Sequence, residues 1–295
     1  MTEQDGVQAS TTRRVIAGVD GSADSERAVR WAAREALDLG LPLTLVHAVH
    51  LPDSSAAPYE PDDFEPRIRA EGAALLDGTA QAVKAEFPEL QVDTVLSEQS
   101  AAHALSELSH ESDVIVTGTR GHGGFVGMLL GSVSRTLAAH AQSPLVVVRG
   151  DAPGSEGEDV VLGVELGEDE SVIRYAFAAA QRGNSTLRVV HAWWPTIYAS
   201  PVGAFGADIS DTFEAERKAI DELLAPGRAA FPDVTVEVTV NRGNPVPSLI
   251  EAATGARLLV VGAHHHHGPL AVGAGYVVEG LLSHSPTPVA VVPLG

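Results

Sequence analysis

The sequence predicts an α/β protein built from two similar open-sheet domains in tandem, each with five mostly parallel strands. Three observations support this prediction: short apolar runs rich in β-branched residues, helical periodicities between those runs, and an internal repeat. Near-continuous apolar runs are typical of strands that are buried on both faces of a parallel sheet. Strands that alternate with helical crossovers build an open α/β sheet.

The internal repeat consists of four blocks that recur in the same order. Residues 14–20, 45–48, 114–118 and 143–148 return as residues 159–165, 189–192, 258–262 and 287–292. Four ordered matches indicate two like domains, and the small, acidic run between them suits a linker. The predicted division is therefore a disordered tail at 1–12, a first domain at 13–150, a linker at 151–158 and a second domain at 159–295.

Within each copy the apolar runs predict five strands. They are 15–19, 43–48, 92–96, 114–117 and 145–148 in the first copy, and 160–164, 187–192, 234–240, 258–261 and 289–292 in the second. Helical spacing between the first two strands ends at Gly40, a residue type that commonly closes helices. Two Pro-, Asp- and Ser-containing segments, 51–66 and 194–211, are interpreted as irregular connections, either solvated or lying over a site.

The composition narrows the classes of partner. The formal charge is −20, from 39 acidic and 19 basic side chains. We therefore expect neither nucleic acid nor an anionic membrane surface as a partner, because both must be met by Lys and Arg. The absence of cysteine excludes disulfides, thiolate nucleophiles and Cys-type zinc sites. No run is long and apolar enough to span a bilayer and no signal peptide is evident, so a cytoplasmic location is expected.

The most informative stretch joins the fourth strand to the next helix. Gly118 and Gly121 leave the strand, nine residues follow, and Gly131-Ser132 open an amphipathic helix. Glycine permits close approach where a Cβ would collide, and a helix N-terminus presents unpaired N–H donors with a partial positive charge. The pattern predicts an anion site, most simply for the phosphates of a nucleotide.

This glycine pattern, together with Gly18-Val19-Asp20-Gly21-Ser22, resembles the universal stress proteins, and more narrowly the tandem-domain ATP-binding kind of actinobacteria. The resemblance covers nearly the whole chain, with one family domain per copy. It implies a Rossmann-like fold of the adenine nucleotide alpha hydrolase-like type, ATP as the ligand, and Mg²⁺ bound with the nucleotide. It also implies that the fifth strands of the two domains pair antiparallel, which would make an internal pseudo-dimer.

The resemblance further implies a nucleotide contact at each matching position. Asp20 and its turn would lie beside the adenine or ribose, Ala48 would line the adenine slot, and the start of the helix at Ser132 would bind the terminal phosphates. Arg120 and His122 would either add charge near the γ-phosphate or be solvated loop residues. The candidate residues are Val19, Asp20, Gly21, Ser22, Ala48, Thr117, Gly118, Thr119, Arg120, Gly121, His122, Gly131, Ser132, Val133 and Ser134.

The second copy departs from the pattern. Gly262 and Gly275 match Gly118 and Gly131, but Glu165 replaces Asp20, His265 replaces the middle glycine and Tyr276 replaces the serine. These changes place nucleotide binding by Glu165, Gly262 and Gly275 in doubt. The run from His264 to His267 is interpreted as solvent-exposed loop histidines, with weak binding of a transition metal as the alternative.

The sequence lacks the motifs that commonly indicate a catalytic phosphate-binding loop or a hydrolase nucleophile. It contains no Gly-x-x-x-x-Gly-Lys-[Ser/Thr] loop and no Gly-x-Ser-x-Gly elbow. The sequence therefore favours a nucleotide-binding regulatory protein that is not an enzyme. The alternatives are an interaction scaffold that binds another adenine nucleotide such as cyclic AMP, and a slow ATPase that uses Asp20. His47 and His191 are interpreted as hydrogen-bonded core residues, and a homodimer is expected.

Overall fold

The computed structural model describes residues 13–49, 64–111, 113–121, 130–149, 159–193, 209–263 and 275–294. The predictions for the N-terminal tail, for the linker at 151–158, for His122 and for the run from His264 to His267 lie outside these residues.

The first domain alternates strands and helices. Ser22 caps the first helix by accepting a hydrogen bond from the Ser25 N–H, and Gly40 ends that helix in the left-handed conformation. The elements are β1 (Val15–Gly18), α1 (Ala23–Leu39), β2 (Leu43–Ala48), α2 (Phe64–Glu86), β3 (Val92–Ser97), α3 (Ala101–Leu108), β4 (Val114–Gly118), α4 (Ser132–His140) and β5 (Leu145–Val148).

The second domain repeats this order. Asp169 and Asn244 cap its first and third helices by accepting hydrogen bonds from the N–H groups of Ser171 and Val246. The elements are β6 (Val160–Gly163), α5 (Glu170–Arg182), β7 (Leu187–Trp193), α6 (Ile209–Ala230), β8 (Val236–Arg242), α7 (Pro245–Ala253), β9 (Leu258–Gly262), α8 (Tyr276–His284) and β10 (Val289–Val292).

The ten described strands form one continuous sheet, in the order β3-β2-β1-β4-β5-β10-β9-β6-β7-β8. Neighbouring strands are parallel within each domain, whereas β5 and β10 pair antiparallel, with Val147 opposite Val289 and Leu145 opposite Val291. The predicted fold class and the internal pseudo-dimer are both confirmed. The fifth strands are therefore already paired within one chain.

Helices cover both faces of the sheet, which makes three layers. One buried apolar cluster contains strand residues together with α1, α2, α5 and α6, and it is continuous from the first domain to the second. A second cluster lies on the other face with α3, α4, α7 and α8. Burial on both faces explains why the strands read as unbroken apolar runs. None of the described helices is long and apolar enough to cross a membrane.

The ends of the two segments predicted as irregular connections are helical. Helix α2 begins at Phe64 and α6 begins at Ile209, inside the ranges 51–66 and 194–211. The interpretation as irregular chain was wrong at 64–66 and 209–211. It relied on the Pro-, Asp- and Ser-containing composition of the segments and not on the helical spacing of their apolar residues. The buried residues Gly72, Leu76, Ala80 and Val83 of α2 are spaced as one helical face, and that spacing is visible in the sequence.

A cluster of charged side chains around the buried Glu35 joins the two domains away from the strand junction. Glu35 of α1 is 3% exposed. Its Oε1 accepts a hydrogen bond from Arg182 Nη2 at 2.6 Å, and its Oε2 lies 3.6 Å from Arg257 Nη2. Arg257 also pairs with Asp38 of α1 at 2.8 Å. We call Glu35, Asp38, Arg182 and Arg257 the Glu35 cluster.

Tyr175 lies beside the Glu35 cluster, and its buried hydroxyl has no hydrogen-bond partner among the described residues. Burial raises the pKa of Tyr175, the Glu35 carboxylate raises it further, and Arg182 and Arg257 oppose this shift. An unfolded tyrosine ionises near pH ~10. Above that pH the unfolded chain releases this proton while the folded chain retains it, so stability falls as the pH rises.

The substitution Tyr175→Phe should therefore leave stability near pH 7 almost unchanged, because the hydroxyl makes no hydrogen bond that would be lost. At pH 11 the variant should be more stable than the wild type by about 1 kcal/mol. Urea unfolding at the two pH values measures the difference. Tyr276→Phe is the control, because the Tyr276 side chain is exposed. An equal alkaline loss of stability in wild type and Tyr175→Phe would show that Tyr175 does not carry this effect.

Candidate functional site

A cavity of about 800 Å³ opens at the carboxyl ends of the strands of the first domain. Its volume lies within the ~300–1,000 Å³ typical of small-molecule sites, and its position is where open α/β sheets bind ligands. Twelve of the candidate residues line it: Val19, Asp20, Ala48, Thr117, Gly118, Thr119, Arg120, Gly121, Gly131, Ser132, Val133 and Ser134. Gly21 and Ser22 lie in the adjoining turn, outside the wall.

The cavity also contains residues that the sequence analysis did not select. Two of them, Ala101 and Leu105, are one helical turn apart on α3 and provide an apolar wall, and a sequence search for that spacing could have found them. The others lie near the ends of β1 and β2, in the first turn of α1 or just before α4. The additional lining residues are Gly18, Ser25, Val46, His47, Ala101, Leu105 and Leu130.

The turn after β1 fixes the carboxylate of Asp20. Asp20 Oδ1 accepts a hydrogen bond from the Ser22 N–H at 3.0 Å, and the Asp20 N–H donates to Ser25 Oγ at 3.2 Å. Gly21 has φ +77°, which favours glycine at this position. Ser22, and not Asp20, provides the side-chain cap of α1. Asp20 Oδ2 lies against Gly121, where an added Cβ would collide with it.

A buried acid behind the loop supports it. Asp24 Oδ2 accepts a hydrogen bond from Thr119 Oγ1 at 2.7 Å and lies 3.7 Å from Arg120 Nε, and Asp24 also pairs with Arg27. Asp24 therefore lies within ion-pair distance of the Arg120 guanidinium, and Arg120 also lines the cavity. Asp24 was not selected from the sequence, because its role depends on residues about 95 positions away.

A second arginine lies near this loop. Arg149 donates from Nη2 to the carbonyl of Leu282 at 3.0 Å, a contact with the second domain. Burial lowers the pKa of the Arg149 guanidinium, the positive charge of Arg120 lowers it further, and Asp24 opposes the shift. Arg149 stays protonated near neutral pH, so a second, partly buried positive charge lies near the exposed Arg120 at this loop.

The N-terminus of α4 faces the cavity without a side-chain cap. The Gly131 N–H donates to the Thr119 carbonyl at 2.7 Å, and Ser134 Oγ donates to the Gly118 carbonyl at 2.9 Å. These bonds hold the loop against the first turn of the helix. The first turn of α4 therefore presents N–H groups and the positive end of the helix dipole to the cavity, an arrangement that suits an anion.

Gly118 and Gly131 permit close packing within the protein, whereas the sequence suggested that they permit close approach of a ligand. A Cβ at Gly118 would meet the backbone carbon and oxygen of Asp24 at 2.8 Å, and a Cβ at Gly131 would meet the Thr119 carbonyl oxygen at 3.2 Å. Gly131 has φ −72°, so its conformation does not require glycine. The two glycines therefore let β4 pack closely on α1 and let the start of α4 pack closely on the loop at Thr119.

His47 and His191 occupy matching positions in the two domains. The Nδ1 atoms contact the carbonyl oxygens of Val19 and Val164 at 2.7 and 2.9 Å, which agrees with the core interpretation. His47 also lines the cavity, whereas His191 Nε2 lies 3.4 Å from Glu216 Oε2.

The second domain has a much smaller cavity, of about 220 Å³, at the equivalent edge of the sheet. Glu165, Gly262 and Gly275 line it, as do Glu168 and Tyr276. Within the described parts of the chain, no group of three or more His, Asp or Glu side chains is placed to hold a metal ion.

Comparisons with known proteins agree with this architecture. A sequence profile described as the universal stress protein family matches residues 11–149 and again residues 158–293. A universal stress protein of Mycolicibacterium smegmatis is 35% identical over 297 residues, 97% of this chain and 99% of that protein. One of Mycobacterium tuberculosis is 31% identical over 295 residues, 94% of this chain and 95% of that protein.

Among solved structures, the crystal structure of a universal stress protein from Archaeoglobus fulgidus superposes with a TM-score of 0.71. The match covers 97% of this chain and 100% of that chain at 15% sequence identity, and at this identity it shows the fold alone.

Proposed function

This chain belongs to the universal stress protein family, and from that premise we propose that its first domain binds ATP as a regulatory signal, with little or no turnover. The observation that carries the proposal is the uncapped N-terminus of α4 opening into a cavity of about 800 Å³. A helix N-terminus that has no side-chain cap and opens into a cavity of ligand size is suited to binding an anion.

The cavity wall combines apolar and positively charged parts, a combination that suits a nucleotide. Val19, Val46 and Leu105 provide apolar surface for a flat base, while Arg120 and the first turn of α4 provide positive charge for phosphates. The wall therefore supplies both kinds of contact that ATP needs.

Magnesium would enter with the nucleotide. Mg²⁺ keeps several waters and binds proteins through one or two carboxylates together with substrate phosphates. Asp20 is the carboxylate in the described cavity wall, so Asp20 is the residue that would hold the ion. Bound Mg²⁺ would neutralise phosphate charge.

The cavity wall favours binding over hydrolysis. Arg120 is the only Lys or Arg among its described residues. Fast phosphoryl transfer commonly uses a phosphate-bridging lysine, a positioned nucleophile and an additional transition-state cation. We therefore propose a site that holds ATP and responds to its concentration.

Calorimetric titration of the whole chain with ATP, AMP and cyclic AMP, each with Mg²⁺, tests the proposal. We expect ATP to bind at least about tenfold more tightly than AMP, because the N-terminal donors of α4 contact terminal phosphates. Phosphate release, measured in the same samples, should stay at the background rate.

Two results would contradict parts of this proposal. Tighter binding of cyclic AMP than of ATP would indicate an interaction scaffold for another adenine nucleotide. Phosphate release that disappears in Asp20→Ala would indicate a slow ATPase.

A further inference from the structure

We propose that Asp24 competes with bound phosphates for Arg120 and thereby sets the ATP concentration at which the first-domain site fills. This inference rests on the proposed function and concerns the regulation of that same site. Asp24 is not part of the cavity wall, whereas Arg120 is, so Asp24 acts on a ligand through Arg120. Its role is therefore that of a positioning residue and not of a ligand contact.

The carboxylate of Asp24 is held in place behind the loop that follows β4. Asp24 is 9% exposed, its Oδ1 pairs with Arg27 Nη2, and its Oδ2 accepts a hydrogen bond from Thr119 Oγ1 at 2.7 Å. The backbone of Asp24 also packs tightly against Gly118. These contacts do not include Arg120, so the carboxylate stays fixed when the Arg120 side chain turns.

Arg120 is drawn towards Asp24 by charge and not by a hydrogen bond. Arg120 Nε lies 3.7 Å from Asp24 Oδ2, which is within ion-pair distance but longer than a hydrogen bond. The Arg120 side chain is 56% exposed, and ion pairs of such side chains are weak. A phosphate oxygen accepts stronger, charge-assisted hydrogen bonds from a guanidinium. A phosphate in the cavity can therefore draw Arg120 away from Asp24.

Arg149 belongs to the same group of interacting charges. Burial lowers the pKa of Arg149, the positive charge of Arg120 lowers it further, and the Asp24 carboxylate opposes the shift. Arg149 donates to the carbonyl of Leu282 and is not part of the cavity wall. Of the two arginines that interact with Asp24 at this loop, Arg120 is therefore the one that can turn to a ligand.

The second domain offers an internal comparison. Glu168 lies against Gly262 there, as Asp24 lies against the matching Gly118. The described wall of the second cavity contains no Lys or Arg for which this carboxylate could compete. Among the described residues of the two cavities, a buried acid paired with an arginine of the wall therefore occurs in the first domain, which also has the fuller glycine pattern.

The contact between Arg120 and Asp24 should lower the affinity for ATP. Arg120 must leave Asp24 before it can contribute fully to phosphate binding, so the strength of the ion pair is subtracted from the binding free energy. For a pair with one exposed side chain this amounts to about twofold to fivefold in affinity. The site then fills at a correspondingly higher ATP concentration than it would without Asp24.

The experiment is a calorimetric titration of the whole wild-type chain and of Asp24→Asn with MgATP and with adenosine. Asparagine keeps the shape of the side chain and an oxygen that accepts the hydrogen bond of Thr119, but it removes the charge. Asp24→Asn should bind ATP about threefold more tightly than the wild type. Its affinity for adenosine should stay the same, because adenosine has no phosphate. A merely structural role of Asp24 would instead weaken the binding of both ligands.

Two further variants show whether Asp24 acts through Arg120. In an Arg120→Gln background, Asp24→Asn should change ATP affinity less than about 1.5-fold, because no arginine is left to compete for. Glu26→Gln is the matched control, since Glu26 is an exposed acid in the same first turn of α1 and does not line the cavity. It should leave ATP affinity unchanged.

Equal or weaker ATP binding by a folded Asp24→Asn variant, an equal gain for adenosine, or a gain that survives Arg120→Gln would each overturn this inference and leave the proposed function in place. If Asp24→Asn does not fold, a crystal structure of the wild type with ATP decides. Arg120 Nε should then lie beyond about 4 Å from Asp24, and an unchanged contact would overturn the inference. Absent binding of ATP to the wild type would contradict the proposed function and this inference together.

Discussion

Replacing Ser132 by glutamate is expected to lower the affinity of the chain for MgATP by about 100-fold or more. Ser132 is the first residue of α4, it is exposed, and it lines the first-domain cavity. A carboxylate there would lie among the N–H groups proposed to bind phosphates. At an effective dielectric of about 20, two like charges roughly 5 Å apart repel by about 3 kcal/mol.

The same substitution should not harm the fold. Acidic side chains in the first turn of a helix interact favourably with the helix dipole, by ~0.3–1 kcal/mol. Loss of binding together with an unchanged or slightly raised melting temperature would therefore separate ligand recognition from folding. Few other positions in the cavity allow this separation, because Gly118 and Gly121 are packed against Asp24 and Asp20.

Thr136→Glu is the matched control. Thr136 is exposed on the same helix, one turn further along, and it does not line the cavity. The Thr136→Glu substitution should reduce ATP affinity by a few-fold at most, since an exposed charge one helical turn further from the cavity is strongly screened. Calorimetry of both variants measures the difference. Full ATP affinity in a folded Ser132→Glu variant would show that the phosphates do not reach α4.

Most of the residues selected from the sequence line one cavity, because they lie in local segments of the chain. The glycine spacing before Ser132 and the Asp20 turn each lie within one strand-loop-helix connection, and parallel strands bring such connections to one edge. The repeat predicted two domains in the same way, because each copy shows the same apolar runs.

The rest of the site could not be predicted, because it depends on which distant residues meet. Thr119 bonds to Asp24, 95 positions earlier, and Gly118 is glycine because Asp24 packs against it. A single sequence shows that glycine is present but does not show which neighbour excludes a Cβ. The same limit applies to the Glu35 cluster, where Arg182 lies 147 positions from its partner.

The Glu35 cluster gives the second large expected effect. Glu35→Gln should destabilise the folded chain by about 3 kcal/mol, measured by urea unfolding. The substitution keeps the shape of the side chain but leaves Arg182 and Arg257 facing a neutral amide in a half-buried setting. Breaking a buried pair from one side is costly, because the remaining charge stays desolvated without compensation.

Glu26→Gln provides the matched control on the same helix. Glu26 lies 3.9 Å from Arg30, and both side chains are more than half exposed, so its loss should cost under about 0.5 kcal/mol. Adding Arg182→Met to Glu35→Gln should recover part of the lost stability, because the charge of Arg182 is then removed, whereas Arg257 keeps its partner Asp38. If Glu35→Gln cost no more than Glu26→Gln, ionic contacts would not hold α1 against the second domain, and the antiparallel pairing of β5 with β10 and the shared apolar core would have to hold the domains together.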